Sequence, residues 1–412
     1  MAEQDEQKQG MTRRDFLGIV TAGLGATAGG VATSLVTNAL NQQTAAANAA
    51  AEKAAAVEGD RSELTPDNVG VDTKEAVSIA ETNATKIEIT PPSEKPRYDV
   101  VDAHLHYVDF TQRSDGFPAL CEAMDASGVE KSVIFGMPMA KQWNEHTEKA
   151  PSYYLSDDCR CYYYTGTDAI VAEELLAQPK EIRERFFPFC CGINGADRFA
   201  AEHIRQLLQL YPKFWCGIGE LMSHHDDLTA LTYGEPPRID HPAFLEIFDL
   251  GAEEGLPVLI HHNITAQNNE EIIYRDELER AVAHNENCKI IWAHMGISRR
   301  VEVKNLAQIV DELLAAHPNF YTDISWVVYD YYMLGEFPDG YFTGNTSDDW
   351  VALMEKYPDR IMVGTDKVGH WKSYPNEVVK YYQLLDKLKP ATAEKICRTN
   401  ILGLVKRYDE EG

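Results

Sequence analysis

Positive charge is scarce in this chain, which carries 38 Lys and Arg against 65 Asp and Glu, for a formal net charge of −27. Polyanions are repelled by such a surface, so nucleic acid and anionic membrane faces are excluded as partners. None of the eight cysteines lies in a CxxC pair, which removes the zinc-ribbon pattern. Cys190, Cys191 and Cys216 fall in apolar runs, where a buried free thiol is the expected state. No GxGxxG opens a helix after the first strand-like run, which argues against a dinucleotide-binding sheet. The apolar stretch near the N-terminus is diluted with Gly, Ala and Thr and makes a weak membrane span.

That stretch follows Arg13-Arg14 and runs through Phe16, Leu17, Ile19, Val20 and Leu24. The pattern resembles a twin-arginine export signal, which implies passage of the folded protein through the twin-arginine machinery to the periplasm or cell exterior. Cleavage is expected among the small residues 39–47, with retention as a membrane anchor the alternative. Residues 48–96 are Ala-rich, then polar with Pro66, Pro91, Pro92 and Pro96, and read as a linker. With 44% hydrophobic residues overall, residues 97–412 suffice for one large domain.

Within that domain, eight apolar runs alternate with helix-compatible segments: 100–106, 131–137, 186–194, 216–221, 257–263, 289–296, 320–325 and 360–366. Eight such repeats over this length predict an α/β fold, a (β/α)₈ TIM barrel, with an open doubly wound sheet as the alternative. In a barrel, chemistry gathers where strands end. His104 and His106 end the first run, Glu220 the fourth, His261 and His262 the fifth, His294 the sixth, Asp323 the seventh and Asp366 the eighth. Placing a metal-competent side chain after so many runs that would otherwise be buried is costly unless the groups act together.

The HxH of Asp102-Ala103-His104-Leu105-His106, the PVLIH ending at His261, the AHMG around His294 and the VGTD ending at Asp366 occur in order. Together they resemble the metal-dependent amidohydrolase superfamily, and more closely its branch containing the aminocarboxymuconate-semialdehyde decarboxylase relatives. The resemblance implies a divalent metal held by His104, His106 and His261, with Asp366 as a further ligand that takes a proton from water. Zn²⁺ is the default for such donors, although manganese, iron or cobalt suit them too, and one or two ions are compatible. His261 is preferred over His262 because it directly follows the apolar Val258-Leu259-Ile260. With one metal His294 would polarise a substrate carbonyl or move protons, and with two it would be a ligand. Glu220 would either bridge two ions or hydrogen-bond a ligand histidine. Asp323 reads as an orienting group.

Two aromatic-rich insertions, 137–168 and 326–346, follow strands at the rim. They would cap a flat substrate, or pack on each other or on a second subunit, so a homo-oligomer stays open. Trp326, Arg299 and Lys367 are candidate substrate contacts, the two cations for a carboxylate. The leading expectation is a hydrolase acting on a C–O or C–N bond of a small carbonyl compound, a lactone, ester or amide. The alternatives are a metal-dependent, non-oxidative decarboxylase of an aromatic or unsaturated acid, and an exported binding protein without catalysis.

Overall fold

The computed structural model describes residues 87–141, 160–232, 234, 236–298, 300–333 and 347–408. All belong to the compact unit Ala84–Gly412. Arg13, Arg14, Arg299 and most of both aromatic insertions lie outside the described residues.

Eight parallel strands form one sheet: β1 Val100–Asp102, β2 Val129–Ile134, β3 Phe186–Cys190, β4 Gly217–Met222, β5 Val258–His261, β6 Ile290–Trp292, β7 Phe320–Asp323 and β8 Ile361–Met362. They are ordered in space as in sequence. The ends meet, because Ala103 N donates to Val363 O at 3.0 Å and Asp366 N to His104 O at 2.8 Å. Just beyond, Leu105–His106 pairs in parallel with Lys367–Val368. The expected (β/α)₈ barrel is therefore the fold.

The helices include α1 Gly116–Ser127, α2 Gly166–Leu176, α3 Ala200–Leu210, α4 Pro242–Glu254, α5 Arg275–Val282, α6 Leu306–Ala316 and α7 Ser347–Lys356. Helix α4 shows why they start and stop where they do. Pro242 stands in its first turn, where its missing N–H costs nothing, and Gly255 ends it in the left-handed region at φ 65°.

Two separate apolar groups divide the strand residues. Val101, Val133, Phe187, Phe189, Leu259, Ile291 and Met362 fill the barrel interior. Their neighbours Val100, Ile134, Phe186, Val258, Ile260 and Ile290 face outward into the helices. This is the period-two alternation of a strand covered on both faces. It places His261, two after Leu259, inside the barrel, and turns His262 away from it.

The strands are shorter than the apolar runs suggest, and the reason bears on the site. The first run breaks after Asp102, the sixth turns into a tight helical turn at Ala293–Gly296, and the eighth stops at Met362. Beyond those points the regular ladder is interrupted, and pairing resumes only in short pieces such as Leu105–His106 with Lys367–Val368. Thr90 N donates to Lys372 O at 2.9 Å and Ser93 N to Asn376 Oδ1 at 2.8 Å, so residues ahead of β1 lie along the barrel.

Candidate metal centre

Strict alternation from Val101 and Ala103 would send His104 outward. The interruption of β1 changes the parity, and both His104 and His106 enter the interior. In β4 a register shift between Ile218 and Leu221 does the same for Glu220. At the end of β6, His294 takes φ 36° and Met295 φ 54°, and Asp366 after β8 takes φ 53°. Non-glycine residues rarely adopt such backbone, at a cost of order 1–3 kcal/mol each. Here four irregular strands bring five polar side chains, His104, His106, Glu220, His294 and Asp366, to one point.

That point is Glu220. Its Oε2 lies 3.2 Å from His106 Nε2 and 3.7 Å from His104 Nε2, and its Oε1 lies 3.3 Å from His261 Nδ1 and 3.6 Å from His294 Nε2. Asp366 Oδ1 joins the first pair, 3.4 Å from His104 Nε2 and 3.2 Å from His106 Nε2. The donors form two triads, His104-His106-Asp366 and Glu220-His261-His294, with Glu220 reaching toward both. All are buried except Asp366, which is partly exposed.

The far nitrogens fix where the protons sit. His106 Nδ1 lies 2.8 Å from the carbonyl of Gly136, which only accepts, so the proton is on Nδ1. His104 Nδ1 lies 3.0 Å from Asp323 Oδ2, and charge from His104 outweighs burial to hold Asp323 ionised, so Nδ1–H donates there too. His261 donates from Nε2 to Asn263 Oδ1 at 2.6 Å. In the neutral form of each ring, the form that binds a metal, the nitrogen left bare is the one facing the carboxylates. This is how ligand histidines are held by their outer partners.

Bare nitrogens and carboxylate oxygens repel when pressed together. His104 Nε2, His294 Nδ1 and Glu220 Oε1 are buried without a hydrogen-bond partner, while His261 Nδ1 and His294 Nε2 share a hydrogen bond at 3.0 Å. Burial opposes a charged imidazole, yet Asp366, Asp323 and Glu220 outweigh it and hold the His104 pKa well above its usual value. Burial likewise opposes charge on His106, but bonds to Asp366 and Glu220 raise it to about 9. The site draws positive charge, and its nitrogen and carboxylate donors are those a divalent cation takes. The residues present fit a metal.

Of the other expected residues, Asp323 is the orienting group foreseen: it also accepts from His294 N at 2.9 Å and Ser325 N at 3.0 Å. His262 is tied to Ser223 Oγ at 2.7 Å and Tyr274 O at 3.0 Å, away from the triads. Trp326 edges His294 at 5.0 Å between ring centroids and lines the cavity over the site. Lys367 does not: its Nζ reaches Ser373 Oγ at 2.7 Å, because the short pairing with Leu105–His106 faces it outward. Arg300 is engaged with Asp227. Seven cysteines are free thiols, and Cys159 lies outside the described residues.

His225 escaped the strand-end reading because it lies three residues past β4. It stacks on His261 at 4.1 Å and its Nδ1 accepts from Asp227 N at 3.0 Å and Leu228 N at 3.2 Å. The ring proton must then be on Nε2, and His225 lines the same cavity. That cavity measures about 20 Å³, room for a water or an ion, and is otherwise walled by Phe110, Met137, Met222, Leu228 and Val368.

A closed parallel barrel with buried His and carboxylate triads at its C-terminal rim defines the class: a TIM-barrel protein of metalloenzyme type. The chain belongs to the amidohydrolase family, whose model matches residues 101–406. It is thus an enzyme of a metal-dependent hydrolase or decarboxylase kind. No curated protein matches it. Among solved structures it is similar to an uncharacterised TIM-barrel protein from Bordetella bronchiseptica, at 17% identity and TM-score 0.47, covering 74% of this chain and 97% of that one. A 2,6-dihydroxybenzoate decarboxylase from Rhizobium gives 16% and 0.44 over 75% and 98%. A probable 2-pyrone-4,6-dicarboxylic acid hydrolase from Acinetobacter baumannii gives 11% and 0.44 over 74% and 99%.

Proposed function

We propose that this protein is a two-cation hydrolase that cleaves a C–O or C–N bond of a small, uncharged carbonyl compound such as a lactone, ester or amide. His104, His106 and Asp366 would hold one ion, His261 and His294 the other, and Glu220 would serve both. Bound divalent ions, most simply Zn²⁺, polarise a carbonyl and lower the pKa of water from 15.7 to about 7. Asp366, at the cavity wall, accepts the proton of the attacking water and returns it to the leaving oxygen or nitrogen. His225, with its proton on Nε2, is placed to donate to a substrate oxygen. Trp326, Met222 and Leu228 exclude bulk water from the same space.

The observation that carries the choice of hydrolysis is the cavity wall. Among the described residues no Lys or Arg lines it, which favours an uncharged carbonyl compound over a carboxylate substrate. Decarboxylation of an aromatic or unsaturated acid is the rival within the family. A panel of lactones, esters and amides run beside dihydroxybenzoate-type acids separates the two. Acid release from the first set supports hydrolysis, and carbon dioxide from the second alone overturns it.

The Arg13-Arg14 segment supports export by the twin-arginine route, in keeping with a protein that takes up metal before transit. Replacing both arginines with lysine should hold the protein in the cytoplasm. An unchanged distribution would refute the route.

A further inference from the structure

At the end of the barrel away from the metal centre, where β2, β3 and β4 begin, lies an open groove of about 590 Å³. That face of a barrel ordinarily serves stability, and a groove there large enough for a small molecule calls for an account. Among the described residues six cationic side chains line it against a single carboxylate, Glu184, in a chain where acids outnumber bases 65 to 38. Lys180 pairs with Glu184 at 3.2 Å and Lys406 with Glu254 at 3.7 Å. The other four, Lys131, Arg183, Lys213 and Arg407, have no carboxylate within ion-pair distance among the described residues.

Their arrangement follows the aromatic floor. Lys131 Nζ lies 5.6 Å and the Arg407 guanidinium 5.9 Å from the centroid of the same ring, Phe187. Phe214, partly buried, and the exposed Leu176 supply accessible apolar surface in the groove. Lys213 is held at φ 58°, backbone that a lysine adopts only at a cost. Cations gathered over one ring repel each other, and water screens that repulsion only in part. An anion near both relieves it, and an apolar body attached to the anion would cover Leu176 and Phe214.

We propose that this groove binds an amphipathic carboxylate, an acid whose ring or alkyl body lies on Leu176 and Phe214 and whose carboxylate meets Lys131 and Arg407. The proposal does not depend on the reaction at the other end of the barrel.

The test is calorimetric titration of the full-length protein with 2-naphthoate, beside its neutral analogue 2-naphthylmethanol. The expected result is a saturable event that weakens at least tenfold in the K131Q/R407Q variant and severalfold between about 50 mM and about 500 mM salt. The alcohol should bind at least tenfold more weakly than the acid. Metal content should stay as in the parent, since neither residue touches the triads. If the double variant does not fold, K213E, at an exposed position, should weaken the same event at least threefold. Binding unchanged in these variants, equal binding of acid and alcohol, or no saturable event would each overturn the assignment.

Discussion

Asp323 offers the sharpest perturbation, because one buried carboxylate holds two of the site histidines. Its Oδ2 receives His104 Nδ1–H, while its Oδ1 receives His294 N, Ser325 N and Ser325 Oγ at 2.9, 3.0 and 2.5 Å. In Asp323→Asn the single remaining oxygen is best placed toward the three donors. The amide NH₂ then faces His104 Nδ1, and two donors cannot share one bond. His104 must move its proton to Nε2, the atom directed at Glu220 and Asp366. A ligand nitrogen is thereby blocked without any change of shape. Loss of such an outer partner weakens metal affinity about 10- to 100-fold, or about 1.4 to 2.7 kcal/mol. Competition of the metal-free protein against a chromogenic chelator measures this, with circular dichroism to confirm the fold. Affinity of D323N within twofold of the parent would refute the tautomer argument.

Other expectations follow from the same geometry. Gly136→Ala puts a Cβ 2.0 Å from Thr167 Oγ1, beside the carbonyl that orients His106, and should cost about 1–3 kcal/mol in denaturant unfolding while also weakening metal binding. Phe135 packs edge-on against His104 and His106, with centroids at 5.1 and 4.6 Å, so Phe135→Ala should destabilise by about 3–5 kcal/mol and a smaller loss would mean the site collapses around it. His225→Ala should lower kcat at least tenfold with metal content intact, and a change in metal content instead would make it a support of His261. His370 is raised to about 9 by bonds to Asp109 and Asp115, above its unfolded value near 6.5. Its contribution is present below pH 6.5 and lost as pH rises through 9, so the melting temperatures of the parent and His370→Asn should converge by about pH 10.

The barrel was legible because its strands are buried on both faces, and runs such as Val258-Leu259-Ile260 announce themselves by composition. The preference for His261 over His262 came from that same run, and alternation in an unbroken strand confirms its inward placement. The irregular ends were another matter. His104, Glu220 and His294 reach the interior only because β1 breaks, β4 shifts register and β6 ends in left-handed backbone, none of which periodicity can express. Lys367 adjoins Asp366 in sequence, but strand alternation gives the cavity to Val368 and sends the Lys367 ammonium to Ser373. His225 carried no signal, since its role depends on stacking with a residue 36 positions away.

The most direct test of the centre is elemental analysis of protein purified without added metal, alongside Glu220→Gln. The account predicts two divalent ions per chain in the parent and at most one in the variant, because the shared carboxylate serves both triads. A parent with no stoichiometric metal, or a variant that retains two ions, would contradict it.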